Sequence, residues 1–379
     1  MVAAILGALA ACTSGPPVAP PPPPPSAPTA SPAQPEAPPP DGTPARGVRW
    51  VAADWSALPG FSDDRASELW PALRRSCQRA APGWAQTCAR AAAEAPADDA
   101  AARRWLMAWL QPYRVESGAG QAEGLATGYY EPLFAASRRP SARWRVAVHA
   151  PPADLATRRP HWTRQQIDTL PAAAATLSGR EIAWLEDPVD LLVLQIQGSG
   201  RLRVTEADGR VQQIRVAFAG HNDQPYQSVG RWLIDQGELR PGAASWPAIK
   251  AWTLQNPARV QAMLWANPRM VYFREEPLPD PTLGPRGAQG VALTPGRSIA
   301  VDPHSVPYGT AVWIDTTEPL SATPLRRAVM AQDTGGAIVG AVRADYFWGW
   351  GAEAEAQAGR MKQPLRMWAL WPKGSAPPR

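Results

Sequence analysis

"AQDTGGAIVG", residues 331–340, is the stretch on which the reading of this chain turns. Asp333-Thr334-Gly335 is the triplet that carries the reactive carboxylate of aspartic proteases, but Gly336 stands where those enzymes have Ser or Thr. Such a protease needs two copies so that two carboxylates share one proton, and this chain has one; only a homodimer could supply the second. Gly335 and Gly336 let the backbone turn tightly and come close to a ligand, which suits a sugar groove. Three readings are open at this point: half of a protease, part of a sugar-cleaving site, or a turn.

Two further aspartates stand nearby in sequence, Asp302 in "SIAVDPHSVPYGT" (298–310) and Asp345 in "VRADYFWGWG" (342–351). Upstream come "ATGYYEP" (126–132), "EIAWLEDPVDLLVLQIQGSGRL" (181–202), "AGHNDQPYQSVGR" (219–231), "NPRMVYFRE" (267–275) and "LTPGRSIAVDP" (293–303). Several blocks in one order are far more specific than any single motif. Together they resemble the membrane-bound lytic murein transglycosylase A (MltA) family, with its three-aspartate double-psi β-barrel domain, over about residues 50–372. The protease reading recedes accordingly.

The resemblance implies a mainly β fold with some α: a double-psi β-barrel domain with N-terminal helices, built from residues 46–134 and 266–372. A smaller β domain, 135–265, is inserted, a groove runs between the two, and 373–379 form a tail. It implies a peptidoglycan lyase of the exotransglycosylase type, although the residues themselves do not separate end-on from internal cleavage. The bond cut is the β-1,4 link between N-acetylmuramic acid and N-acetylglucosamine, and the product ends in 1,6-anhydromuramic acid. No cofactor or metal is implied.

By position Asp345 matches the family's catalytic aspartate, acting as general acid and then base. Asp333 is the supporting carboxylate, and Asp302, ahead of Pro303, fits a turn that braces the barrel. Tyr129, Tyr130, Glu131, Gln195, Gln197, Gly198, Ser199, Gly335, Gly336 and Phe347 are the substrate-binding candidates. Against this, glutamines alternating along a strand can simply face water, and tyrosines often fill cores. An unperturbed aspartate is protonated about once in a thousand at pH 7, a handicap of roughly 4 kcal/mol for a general acid. Burial against Phe347 or Trp348 and the like charge of Asp333 are expected to raise Asp345.

The remaining chemistry is thin. His149, His161, His221 and His304 stand far apart, without the spacing of a metal site. "GSG" at 198–200 is not a nucleophile elbow. A net charge of +5 is spread over scattered arginines rather than gathered in a block, which argues against nucleic acid. No glycine-rich phosphate loop precedes a helix, and no strand–helix alternation suggests a nucleotide fold.

"MVAAILGALAACTSG" at the start is too short an apolar run to span a bilayer and ends in small residues before a cysteine. Residues 1–11 resemble a lipoprotein signal, although no Lys or Arg precedes the apolar run, and Cys12 is the lipidation candidate. The segment 12–45 is a tether: fifteen prolines fall within residues 16–44, and at about 3.1 Å per residue they reach roughly 90 Å. Thr13 after Cys12 points to the periplasmic face of the outer membrane. The expected partners are glycan strands and that membrane's lipid, with cell-wall enzyme complexes as further company and a monomeric state.

Cys77 and Cys88 are the other two cysteines, a disulfide candidate in an exported protein; two buried thiols are the alternative. They lie in a region read as helical from a Ser62/Asp63 cap onward. A second helix is expected over 97–111, ended by Pro112. Leu202–Val204 and Val211–Val216 flank an Asp208-Gly209 turn of hairpin type. Helix is expected again over Ser228–Gln236 and Trp246–Asn256.

Overall fold

The structure is a computed structural model that describes residues 47–378. The signal, Cys12 and the whole of the tether lie outside the described residues.

Among the described residues fourteen strands form two sheets. The first holds β1 (Val48–Ala52), β2 (Leu110–Ser117), β3 (Gly124–Glu131), β10 (Ser298–Val301), β11 (Ala311–Thr317), β12 (Pro324–Asp333), β13 (Arg343–Trp350) and β14 (Lys362–Pro372). The second holds β4 (Leu133–Ser137), β5 (Val146–His149), β6 (Glu181–Leu185), β7 (Ser199–Thr205), β8 (Val211–His221) and β9 (Val271–Glu276).

The first sheet runs β1-β2-β14-β11-β12-β10-β13-β3, and β14 also pairs with β3. That last pairing closes β14, β11, β12, β10, β13 and β3 into a ring. β14 is long enough to serve both neighbours, with Lys362–Leu365 against β3 and Trp368–Pro372 against β2. β10 lies parallel to β12 and β13 parallel to β3, whereas the other neighbours are antiparallel.

Period-two alternation places the core. Val312, Ile314, Val329, Ala331, Ala344 and Tyr346 pack inside the ring. The intervening Ala311, Trp313, Ala328 and Met330 pack outward against the N-terminal helical segment, where Leu69, Leu73, Trp84 and Leu106 complete a second core. β11 is therefore buried on both faces and reads as one apolar run, "AVWI".

The N-terminal segment passes through short 3-10 turns at Trp55–Ala57, Phe61–Asp63 and Ala66–Leu69, and its first α-helix runs Trp70–Ser76 with Pro71 in the first turn. Ser62 and Asp63 therefore do not cap the helix as expected; Pro71 fits only near a helix start and sets the boundary later. A disulfide joins Cys77 to Cys88 and ties this helix to the next. The helix expected at 97–111 runs Asp99–Trp109, capped by Asp98 accepting from the Ala101 N–H. Leu110 already pairs with Pro372 and Pro112 sits inside β2, so strand pairing ends this helix before the proline.

The second sheet is ordered β5-β6-β4-β7-β8-β9. The β7–β8 hairpin turns where the sequence places it, with Gly209 at φ 85° and the Gly209 N–H bonded to the Glu206 carbonyl. The helices Val229–Asp235 and Trp246–Gln255 are capped by Ser228 and Ser245. β9 belongs to this sheet, so the chain returns to the barrel after Glu276, later than the expected crossing near 266.

The run "PVDLLVLQIQ" forms a helix, Pro188–Gln197, where a strand was expected. Asp187 accepts from the Val189 N–H, Pro188 opens the first turn, and Gly198 at φ 76° ends it in the left-handed region. Those three terminal signals decide an apolar run that periodicity leaves ambiguous.

Candidate active site

The strand register sets one row of residues across four neighbouring strands. Ala300 of β10 pairs with Asp333 of β12 on one side and with Asp345 of β13 on the other, and Asp345 pairs with Thr127 of β3. With strands about 4.8 Å apart, the Asp333 and Asp345 Cα atoms lie about 10 Å apart, separated by the methyl of Ala300. Ala344 and Tyr346 point into the barrel, so Asp345 between them points out of its wall.

The two carboxyls are held differently. Asp345 Oδ1 accepts the Thr127 hydroxyl at 2.5 Å, and the Arg343 guanidinium donates to the same hydroxyl oxygen at 2.9 Å. Among the described residues Oδ2 of Asp345 has no hydrogen-bond partner. Asp333 accepts three donors: the N–H groups of Ala288 and Thr334 on Oδ1, both at 2.9 Å, and the Tyr129 hydroxyl on Oδ2 at 3.0 Å.

Both carboxyls are half-buried. Burial raises Asp345 to about 6, against the opposing pull of the Thr127 hydroxyl and the Arg343 charge. Burial also raises Asp333 to about 6; its three donors oppose this, and the Asp345 charge adds to it. Each hydrogen bond to a carboxylate favours the ionised form. More donors hold the Asp333 carboxylate than the Asp345 carboxylate, and Asp345 keeps one oxygen open. Tyr129 keeps its own proton, because burial and the two neighbouring charges push its hydroxyl well up.

Asp302 stands apart from this pair. Its Oδ1 accepts the His304 N–H and imidazole, and its Oδ2 accepts the Gly340 N–H at 2.9 Å. Burial pulls its pKa upward, but these donors outweigh it and hold the carboxyl below the usual value. Asp302 thus pins the loop that follows Asp333. In that loop neither Gly335 nor Gly336 adopts a positive φ; Gly340 does, at 115°. The turn is closed by the Ile338 N–H on the Gly335 carbonyl.

Several expected sugar contacts are structural instead. Glu131 is fully buried, accepting from Arg201 at 2.7 Å and Arg215 at 2.5 Å. Both arginines come from the second sheet and also hold the carbonyls of Pro281 and Leu283, so this ion cluster fixes the crossing from β3 into the inserted domain. Tyr130 lies in the apolar core beneath the Pro188–Gln197 helix.

Gln195 is buried, accepting from Arg164 and donating to the Val271 carbonyl, and Gln197 accepts the Tyr130 N–H. Gly198 serves as the helix stop and Ser199 as the first residue of β7, half-buried opposite Ala217. Phe347 is 0% exposed: it shares the outward face of Asp345 but is covered by Tyr129, 5.1 Å away centre to centre, and by the loop at Gly284. It supplies low dielectric rather than a sugar platform. Only Tyr129 of the upstream candidates reaches the carboxyl pair. Thr127 and Arg343 escaped the sequence reading, although Thr127 stands inside "ATGYYEP" and Arg343 two residues before Asp345.

A closed six-stranded ring, a coupled carboxyl pair on its outer wall and a second β sheet entered from β3 define an enzyme of the two-domain β-barrel class. Family models agree segment by segment: the MltA specific insert domain matches residues 125–274 and the 3D domain matches residues 297–371. The chain belongs to the membrane-bound lytic murein transglycosylase A family.

Among solved structures, a lytic transglycosylase of Burkholderia pseudomallei is 44% identical, with 88% of this chain and 98% of that one covered and a TM-score of 0.62. MltA from Neisseria gonorrhoeae is 32% identical, with 89% and 96% covered and a TM-score of 0.75. A membrane-bound lytic murein transglycosylase A from Vibrio cholerae is 29% identical over 269 residues, 69% of each chain.

Proposed function

We propose that this protein is a lytic murein transglycosylase that cuts the β-1,4 bond between N-acetylmuramic acid and N-acetylglucosamine, with Asp345 as the single acid and base. Asp345 gives its proton to the bridging oxygen as the C1–O bond breaks. The resulting carboxylate takes the proton of the muramic C6 hydroxyl while O6 bonds to C1. The 1,6-anhydro ring closes, Asp345 regains its proton, and no water is consumed. One carboxyl suffices because the nucleophile belongs to the same sugar, where glycosidases otherwise need a second carboxyl or a water.

The observation that carries this reading is the asymmetric pair: Asp345 with one donor and an open oxygen, Asp333 with three. At a pKa of about 6, roughly one Asp345 in ten holds its proton at pH 7, so the general-acid handicap shrinks from roughly 4 to about 1.4 kcal/mol. The charge on Asp333 supports the positive sugar carbon as it forms. Membership among lytic murein transglycosylases supports the substrate class.

The anchor is part of the same proposal: Cys12 carries lipid at the periplasmic face of the outer membrane, and 12–45 let the domains reach murein. Among the described residues no helix is long and apolar enough to cross a membrane. The test is mass spectrometry of digested sacculi. Products one water lighter than hydrolytic ones, absent with folded Asp345→Asn, are expected. Reducing ends, or an active Asp345→Asn, would overturn the mechanism.

A further inference from the structure

Arg269 stands just ahead of β9, where the inserted domain approaches the loop after Asp333. Its Nε donates to the Gln224 carbonyl at 3.0 Å, which fixes the guanidinium plane. A Cβ on Gly336 would lie 3.5 Å from its Nη1. Gly336 is three residues from Asp333, at most roughly 10 Å along the chain, so this guanidinium faces the loop that follows Asp333.

No carboxylate lies within salt-bridge distance of Arg269 among the described residues, and its two terminal nitrogens make no hydrogen bond there. The nearby acids are taken: Asp223 by His221 at 3.2 Å and Arg159 at 3.4 Å, Asp154 by His161 at 3.0 Å. A half-buried guanidinium without a counter-ion is costly to keep unless something anionic visits it.

Behind Gln224 lies a depression of about 220 Å³ lined by Arg158, Pro160, His161, Trp162, Gln166 and Gln224. Arg158 stacks over Trp162 at 3.5 Å and likewise has no ion-pair partner among the described residues. Gln224 joins the two features, since its carbonyl holds Arg269 while its amide donates to the His161 carbonyl at 2.8 Å. Gln224 thus links one unpaired guanidinium, half-buried beside the loop after Asp333, to a second, exposed one at the hollow.

We propose that Arg269 and Arg158 form a carboxylate-binding subsite for the peptide borne by muramic acid, with Arg269 at its inner end, so that this protein favours peptide-bearing strands over bare glycan. The proposal rests on the function read above. Planar guanidiniums match carboxylates through paired hydrogen bonds; removing the peptide leaves only the lactyl carboxylate beside each muramic ring and takes away those further out along the peptide.

The test compares binding of murein oligomers before and after an amidase has removed their peptides, using the full chain with Asp345→Asn so that nothing turns over. The preference for peptide-bearing oligomers should fall about tenfold with Arg269→Gln and again with Arg158→Gln, and Arg269→Lys should keep part of it. Melting temperature checks that each variant is folded. A preference that survives both substitutions, or a parent protein with none, would overturn the proposal. Anhydro-product release by the unsubstituted protein is scored separately, so a failure of the enzymatic reading appears there and not in the binding ratio.

Discussion

Replacing Asp345 by Asn should silence the enzyme and make it more stable, with a gain that depends on pH in one direction only. In the unfolded chain the carboxyl titrates near 3.8, whereas burial holds it at about 6 in the fold. Between those values the native state binds more protons than the unfolded one, so folding loses stability as pH rises through the window. The loss is complete above about pH 6 and amounts to about 3 kcal/mol. Asn carries no charge to bury, and its Oδ1 can still accept the Thr127 hydroxyl.

Urea unfolding with the disulfide intact measures this directly. With an m-value of about 3 kcal/mol/M, Asp345→Asn should raise the midpoint by roughly 1 M at pH 7.5 and leave it nearly unchanged at pH 4. An equal gain at both values would mean a packing effect instead. No gain at pH 7.5, or a loss, would refute the reasoning that burial opposes the ionised form.

Two further substitutions separate site from scaffold. Thr127→Val removes the hydrogen bond that favours the Asp345 carboxylate; its pKa should rise, and the alkaline limb of the kcat/KM profile should move to higher pH, read from anhydro-product release. Glu131→Gln should behave as a scaffold change: it leaves Arg201 and Arg215 buried without their counter-ion, so stability should fall by about 3 to 5 kcal/mol in urea unfolding.

The barrel segments, the β7–β8 hairpin and the segments that hold the two aspartates were legible in the sequence because each is carried by local signals: apolar alternation, an Asp-Gly turn, ordered blocks. The row that joins Asp333 to Asp345 was not. It depends on Ala300, which has no chemical signature, and on the register of strands that lie far apart in the chain. Burial was hidden for the same reason. Glu131 looks like a sugar-binding acid until Arg201 and Arg215 arrive from strands some seventy to eighty residues away. Gln195 and Gln197 were misplaced because the short apolar run Leu191–Leu194 satisfies strand and helix alike, and the deciding signals were the ends of the segment, Asp187-Pro188 and Gly198. Arg269 stands inside "NPRMVYFRE", where no chemistry singles it out; only its place opposite Gly336 marks it.

Burial raises the Asp345 carboxyl to about 6, so that a protonated fraction persists at neutral pH. The measurement that tests this most directly is the titration of that side chain by carbon NMR of aspartate-labelled protein, with the signal assigned by its loss in Asp345→Asn. A midpoint at about 6 is expected, above that of an ordinary aspartate. A midpoint near 4, with the protein folded and active, would contradict this upward shift.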